Sequence, residues 1–251
     1  MKTLVRGLVV LAVLASASVL VADSVIFSEG FEGAAPGTAV GGYNGWVADT
    51  SDASFVISGT TIDAGQSASG GSWGKFSKGF SYTAGAGETW TLTATMLASD
   101  TSGSYAHLVL RNSAAVYGSS GYADSYNIPI GYSDTIASLV SSDGNSFLMD
   151  LNNSLNVQAT VPVDVKLVLS ESSQQFYYKL HSASEWTNGG SATISGPALS
   201  TYDTISLIMN AKGANGVDSI TLTTDVPEPS ACMLVLTGVF GLLAYAWRKR
   251  K

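Results

Sequence analysis

Residues 161–169 read VPVDVKLVL, with an aliphatic side chain at every second position from Val161 to Leu169. A period of two places alternate side chains on opposite faces of a β-strand. The stretch therefore predicts a long strand with one aliphatic face, which must be buried against another layer, and one face in water.

The same alternation recurs on both sides of this strand. It is found at 91–96, 174–181, 204–209 and 217–223, and further candidates lie at 24–28, 54–58, 75–82, 105–111, 136–140 and 147–151. Turn clusters separate the strands at 69–72, 84–87, 142–145 and 188–190, and their residue types supply the positive-φ positions of tight turns. We predict an all-β fold, a two-sheet antiparallel jelly-roll-like sandwich.

The first residues have the pattern of a secretory signal peptide. Lys2 and Arg6 precede an almost wholly apolar run at 8–21, and small residues follow it. We predict a signal peptide at 1–22 with cleavage after Ala22. Ala17 is the alternative cleavage site, and an uncleaved anchor is the alternative to cleavage.

The last residues, 226–251, combine three features. A Pro-framed motif at 226–230 is followed by an uncharged apolar run at 231–247 and a basic tip at 248–251. The run would extend about 25 Å as a helix, which is near the lower limit for crossing a bilayer. We predict a single transmembrane helix with its stop signal on the cytoplasmic side, formed by Arg248, Lys249, Arg250 and Lys251.

This order of features resembles the PEP-CTERM sorting signal of Gram-negative and related bacteria. In that family a membrane protease-transferase, the exosortase, recognises the signal and cuts near the Pro-Glu-Pro motif. The resemblance implies that Pro227, Glu228 and Pro229 are the recognition residues and that an exosortase-type sorting protease is a partner. It also implies a link to exopolysaccharide, biofilm and the cell-surface matrix.

Residues 23–225 remain as a predicted β-sandwich ectodomain outside the cytoplasmic membrane. We expect the protein to be exported, held in the membrane through its C-terminus before processing, and then placed at the cell surface or in the extracellular matrix. The segment has six Lys and Arg and eighteen Asp and Glu, so its net charge is 6 − 18 = −12. Such a surface is a poor partner for nucleic acid. The only cysteine, Cys232, lies in the apolar run, so no disulfide is expected in the ectodomain.

A second resemblance concerns the two ends of this ectodomain. FSEGFEG at 27–33, PGT at 36–38 and Gly45-Trp46 are similar to the opening of concanavalin- and laminin-G-like jelly rolls. GVDSITL at 216–222 resembles their last strand, which commonly pairs with the first. The resemblance implies the fold and a tendency to bind glycans or surface ligands.

Aromatic residues beside amides are the candidate glycan-binding residues. Sugars stack on flat apolar rings, and neighbouring Asn side chains bind their hydroxyls. The best loop candidates are Tyr43 with Trp46 and Trp186 with Asn188. The alternative is that these rings fill the core, as we expect for Trp90 inside a strand.

Catalytic and metal-binding patterns are weak. Glu29 and Glu32 are the closest acidic pair near a predicted strand, but the Glu-x-Asp-x-x-Glu motif of jelly-roll glycoside hydrolases is missing. Two carboxylates must lie about 5–9 Å apart to cleave a glycosidic bond, and a solvated strand edge is the other reading of this pair. His107 and His181 lack further ligands at zinc spacing. We therefore predict no catalytic residue and no enzyme.

Calcium is the one cofactor that we consider, in a structural role. It takes six to eight oxygen ligands from acidic loops, and ordinary Asx turns are the alternative explanation of such loops. The candidates are Asp143 to Asn145 with Asp150 and Asn152, the loop Asp49 to Asp52, and Asp218 with Glu32 if the first and last strands pair.

Three functional hypotheses follow. The first is an exported, non-enzymatic surface or matrix protein whose ectodomain binds extracellular polysaccharide. The second is a purely structural matrix component without a ligand. The third, which depends on Glu29 and Glu32, is a glycan-cleaving enzyme.

Overall fold

The computed structural model describes residues 23–49, 56–58, 67–69, 73–97, 105–117, 122–131, 135–141, 147–156, 161–193, 198–210, 216–225 and 248–249. One compact unit runs from Val25 to Thr224 and holds the sandwich. The other unit joins Met1–Ser24 and Asp225–Lys251. In that unit Arg248 and Lys249 are exposed, and a hydrogen bond with Asp23 raises the pKa of Asp225.

The described chain is built from strands and two short 3-10 helices. The helices are η1 (Tyr43–Gly45) and η2 (Leu199–Thr201). The strands are β1 (Asp23–Glu29), β2 (Val47–Ala48), β3 (Val56–Ser58), β4 (Ser67–Ser69), β5 (Trp73–Gly79), β6 (Thr89–Leu97), β7 (Tyr105–Arg111), β8 (Ser125–Gly131), β9 (Thr135–Ser141), β10 (Phe147–Asn156), β11 (Val163–Leu169), β12 (Ser173–Leu180), β13 (Thr187–Thr193), β14 (Thr204–Asn210) and β15 (Gly216–Asp225).

The strands form two sheets, which we call sheet A and sheet B. Sheet A has the order β13-β12-β11-β6-β15-β4-β3, with β1 also paired to β15. Sheet B has the order β10-β9-β8-β7-β14-β5-β2. The predicted two-sheet antiparallel sandwich is confirmed, and the first and last strands pair as that fold implies.

The strand at 163–169 lies inside sheet A. Val163, Val165, Leu167 and Leu169 are fully buried, and in register they lie opposite Met96, Ala94, Leu92 and Trp90 of β6. The strand begins at Val163 instead of Val161, because Pro162 lacks the N–H that would extend the ladder. The aliphatic face predicted from the sequence therefore forms one wall of the core.

The facing wall comes from sheet B. Leu108 and Leu110 of β7 and Ile205 and Leu207 of β14 are fully buried in the same hydrophobic cluster as the residues of β6 and β11. Every second residue of these strands points inward, so the two sheets meet over a continuous apolar layer. This layer is the core of the sandwich.

The turn predicted at 188–190 is wrong. These residues lie inside β13, where the register shifts by one residue opposite Phe176 and Tyr177. A Cβ on Gly189 would lie 2.5 Å from Cδ1 of Phe176, and Gly190 has φ of 129°. Gly189 and Gly190 therefore form a β-bulge over the buried ring of Phe176. Glycine pairs occur both in bulges and in tight turns, so the sequence alone did not distinguish the two.

Candidate functional site

Trp186 lies in the turn between β12 and β13 and is half-buried. The Nζ atom of Lys166 on β11 lies 4.5 Å from the centre of the Trp186 ring and 4.4 Å from that of Tyr177 on β12. An ammonium group at this distance is attracted to the negative face of an aromatic ring. The turn thus folds back over the outer surface of sheet A.

The register of sheet A explains why these side chains meet. Lys166 lies directly opposite Tyr177 on one side and Thr93 on the other, and Tyr177 lies opposite Asn188. Directly opposed residues of antiparallel strands share a face. Asn188, Tyr177, Lys166 and Thr93 therefore form one row across the outer surface.

A second row lies beside the first, with Asp164 at its centre. Asp164 is opposite Lys179 and Thr95 in register. Its carboxylate accepts a hydrogen bond from Thr95 Oγ1 at 2.8 Å and lies 3.4 Å from Lys179 Nζ. His181 Nδ1 is 2.7 Å from the same carboxylate, and Lys179 donates to the carbonyl of Ala183 at 2.8 Å. Asp164 therefore holds the side chains of Lys179 and His181 in place.

These rows border a groove of about 280 Å³ on the outer face of sheet A. We call it the Trp186 groove. It combines an aromatic side chain with hydroxyl, carboxylate, ammonium and imidazole groups, since the side chains lining it include Thr95, Asp164, Lys179, His181, Trp186 and Ser219. The groove offers hydrogen-bond donors and acceptors beside a flat apolar surface.

The predicted glycan-binding residues separate into two groups. Trp186 and Asn188 lie on the outer face of sheet A, and Asn188 is exposed, with its side-chain oxygen accepting from Gly190 N at 2.9 Å. Tyr43 belongs to η1 and packs half-buried against the core. The structure does not bring the two pairs together.

Trp46 is not a surface residue, so its prediction as a sugar-stacking ring is wrong. Only 1 % of its surface is exposed. Its ring stacks on Phe31 at 5.9 Å and meets the edge of Phe27 at 6.3 Å. Flanking glycines gave it the appearance of a loop residue, whereas the core takes up the ring. Trp90 is fully buried, as predicted.

Sequence reasoning missed Asp164, Lys166, Tyr177 and Lys179. They occupy the alternate positions of β11 and β12 that face away from the core. Pairing these two strands as a hairpin would have placed all four on one face. The sequence prediction used only the apolar positions of these strands, which define the core, and assigned no role to the polar positions between them.

Glu29 is buried and accepts four hydrogen bonds. Oε2 accepts from Lys78 Nζ at 2.7 Å, Asn44 Nδ2 at 3.0 Å and Trp46 Nε1 at 3.1 Å, while Oε1 accepts from Phe31 N at 3.0 Å. Burial alone would raise the pKa of Glu29, but the hydrogen bonds and the charge of Lys78 outweigh it and lower the pKa. Glu29 is thus an ionised structural hub.

Glu32 has a different environment and lies exposed at the surface. A glycosidase needs one carboxyl group that is protonated before it acts. Glu29 is instead held ionised, so it does not supply that acid.

Some of the predicted metal ligands can be located in the structure. Within the described ranges, no three His, Cys, Asp or Glu side chains come together as a metal-binding group. Burial lowers the pKa of His107 to about 4, so the ring is neutral near pH 7. Asp49 accepts hydrogen bonds from Arg111 at 3.2 Å and from Ser77 and Tyr122. Residues 142–146, with Asp143 and Asn145, lie outside the described residues.

Several predictions concern parts of the chain beyond the described residues. These are the signal peptide with Ala22, the motif residues Pro227, Glu228 and Pro229, and the apolar run at 231–247. Among the residues that are described, no helix has the length and hydrophobicity needed to cross a bilayer.

Comparison of the sequence with protein families bears on the C-terminus. Residues 225–251 match the PEP-CTERM protein-sorting motif. The chain therefore carries the sorting signal that its Pro-Glu-Pro, apolar and basic segments predicted. The match covers about a tenth of the chain and leaves the β-sandwich unassigned. No curated protein matches the chain in sequence.

Comparison of the fold bears on the ectodomain. The globular domain of T. cruzi calreticulin is similar with a TM-score of 0.54 and 11% identity, covering 89% of this chain and 95% of that one. Arcelin-5, a lectin-like defence protein from Phaseolus vulgaris, is similar with a TM-score of 0.51 and 6% identity, covering 80% and 98%. At these identities the likeness shows the fold alone. It confirms the concanavalin-like sandwich.

We predict that Glu29→Gln destabilises the protein by about 1–3 kcal/mol, because it removes the charge that several buried donors share. The native state lowers the pKa of Glu29 from its ordinary 4.5. This stabilisation is therefore complete above about pH 4.5 and is lost as the pH falls through the native pKa. Urea unfolding of both proteins between pH 3 and pH 7 measures it.

The matched control is Glu171→Gln, since Glu171 is an exposed residue of a sheet A turn. This variant should change the free energy of unfolding by no more than about 0.5 kcal/mol. A Glu29→Gln protein as stable as its parent at pH 7 would contradict the role given to Glu29.

Proposed function

We propose that this protein is an exported component of the cell surface or extracellular matrix whose ectodomain binds extracellular polysaccharide at the Trp186 groove. The observation that carries the proposal is the pairing of two partly exposed rings, Trp186 and Tyr177, with a polar groove on a rigid sheet. The two rings share one ammonium group, since Lys166 Nζ lies 4.4 Å from the ring centre of Tyr177 and 4.5 Å from that of Trp186.

The chemistry of the groove fits a sugar. The C–H face of a pyranose ring is apolar and packs against an aromatic ring, while its hydroxyls need both donors and acceptors. Trp186 supplies the ring, and Asp164, Thr95 and Ser219 supply polar groups along the groove.

The support for this groove comes from its own residues. The strands that carry it also build the core, with Val165 and Leu167 pointing inward between Asp164, Lys166 and Val168. A binding surface on such strands is held in place by the packing beneath it. This rigidity lowers the entropy cost of binding a flexible polymer.

The C-terminal motif supports the cellular part of the proposal. We infer that an exosortase-type protease recognises Pro227, Glu228 and Pro229 after the signal peptide has directed export and been cleaved after Ala22. The apolar run and basic tip then hold the precursor in the membrane until it is processed. No catalytic or cofactor role is part of this proposal.

For the groove, we predict that Trp186→Ala weakens binding to polysaccharide extracted from the producing cell's own matrix. The expected loss is about 10- to 30-fold in Kd, because truncating an aromatic anchor commonly costs about 2 kcal/mol. Isothermal titration calorimetry on the full-length protein in detergent measures the loss.

Two further variants make this result specific. Trp186→Tyr keeps a flat ring and should retain most of the affinity. Val116→Ala changes a side chain that is 75% exposed in the segment after β7 of sheet B, and it should bind like the parent. Equal affinity of Trp186→Ala and the parent would exclude the groove as the binding site.

For sorting, we predict that the double change Pro227→Ala and Pro229→Ala leaves an unprocessed precursor in the membrane fraction. The prolines keep the segment extended for a protease, and alanines remove this constraint. Immunoblotting of membrane and surface fractions, with intact mass determination, measures processing. Glu171→Gln, in a turn of sheet A outside the matched motif, is the control and should be processed normally. Normal processing of the double variant would contradict the role of the motif.

A further inference from the structure

The charges around the Trp186 groove do not balance. Lys179 and Asp164 form an ion pair with an Nζ to Oδ2 distance of 3.4 Å. Lys166 lies in the adjacent row and adds a second ammonium group, so the two rows that border the groove hold two lysines and one carboxylate. These two rows therefore carry an excess of positive charge, although residues 23–225 have a net charge of −12.

The other cations near carboxylates serve to hold the fold together. Lys78 pairs with Glu29 at 2.7 Å, and Arg111 pairs with Asp49 at 3.2 Å. Lys166 differs, because in the described part of the chain its Nζ contacts two aromatic rings and no carboxylate. The next acidic residue in the turn, Glu185, is exposed and forms no ion pair with Lys166 among the described residues.

The rings hold Lys166 in place without neutralising it. The half-buried position of Lys166 between the two rings removes part of the water around its ammonium, and this burial lowers the pKa of Lys166. A cation that is positioned and partly dehydrated before binding loses less free energy when a ligand replaces its remaining water. An anionic ligand gains most from this, since hydrogen bonds between charged partners are about twice as strong as neutral ones.

The net charge of the ectodomain does not oppose this local preference at physiological salt. The Debye length there is about 8 Å, so charges farther away on the surface are largely screened. Lys166 and Lys179 both lie within 5.2 Å of the Trp186 ring centre. A group bound on that ring therefore lies close to two ammonium groups, one of which is paired with Asp164.

We propose that the polysaccharide bound in the Trp186 groove is anionic, with Lys166 binding an acidic group of a sugar whose ring stacks on Trp186. The inference rests on the proposed function and adds the chemical class of its ligand. A lysine is a point charge and does not distinguish carboxylate from sulfate by geometry. The shared chemistry is thus an acidic group on a sugar polymer.

The test uses matched pairs of polymers and the full-length protein in detergent at 0.15 M salt. One pair is polygalacturonate and its carboxyl-reduced, neutral form. The other pair is dextran sulfate and dextran. Within at least one pair, the acidic polymer should bind about tenfold tighter than its neutral partner, since a charged hydrogen bond exceeds a neutral one by roughly this factor. The pair that shows the preference identifies the acidic group.

Three variants assign the preference to the groove. Lys166→Gln should remove the tenfold preference while leaving binding of the neutral polymer within about twofold, and Lys166→Arg should keep the preference. Lys75→Gln is the matched control, because Lys75 also lies over a tyrosine ring, Tyr117, at 3.8 Å on sheet B. The Lys75→Gln protein should show the same preference for the acidic polymer as the parent protein.

The outcomes separate this inference from the function on which it rests. Equal binding of acidic and neutral polymers, still weakened by Trp186→Ala, would overturn the anionic class and leave a glycan site in place. A preference that persists in Lys166→Gln would also overturn it. No Trp186-dependent binding of these polymers or of the cell's own matrix polysaccharide would overturn both proposals.

Discussion

The structure depends on one constraint, that the aliphatic face of β11 must be covered by a second layer. Val163, Val165, Leu167 and Leu169 cannot face water, and a lone sheet cannot cover them. Two sheets that meet face to face solve the problem, with β7 and β14 of sheet B supplying the other wall. With the only cysteine at position 232, sheet packing and polar cross-links hold the sandwich together.

The same constraint creates the candidate site. Strands that bury their odd positions must expose their even ones, so Asp164 and Lys166 stand on the outer face directly above the core. The register of β11 with β12 and β6 then sets which side chains become neighbours. Core and groove are thus two sides of the same strands.

Much of the fold followed from the sequence, because strand alternation and turn residues are local signals. The fold class and the buried Trp90 were predictable in this way, whereas the pairing of the end strands was implied by the resemblance to jelly rolls. Strand β8 was not, since Pro129 within SYNIPIG argues against a central strand, yet β8 lies between β7 and β9. Val109 and Ile208 are buried on the outer side of sheet B by Tyr122, which follows only from how the chain returns across the sheet.

The candidate site was half predictable for a similar reason. Trp186 and Asn188 could be identified as a loop aromatic beside an amide, whereas Trp46 shows the same pattern and belongs to the core. The buried indole of Trp46 donates its N–H to the carboxylate of Glu29, a residue 17 positions away in the sequence. Whether such a ring is buried or exposed depends on contacts between segments that are distant in the sequence. No local sequence pattern predicts these contacts.

The proposed function requires that polysaccharide bind on the outer face of sheet A over Trp186. Hydroxyl-radical footprinting of the full-length protein, with and without the cell's matrix polysaccharide, tests it most directly. We expect reduced oxidation of Trp186 and Tyr177 in the complex, with the oxidation of Tyr43 unchanged. Unchanged oxidation of Trp186 in a complex shown to be formed, or protection of Tyr117 on sheet B instead, would contradict it.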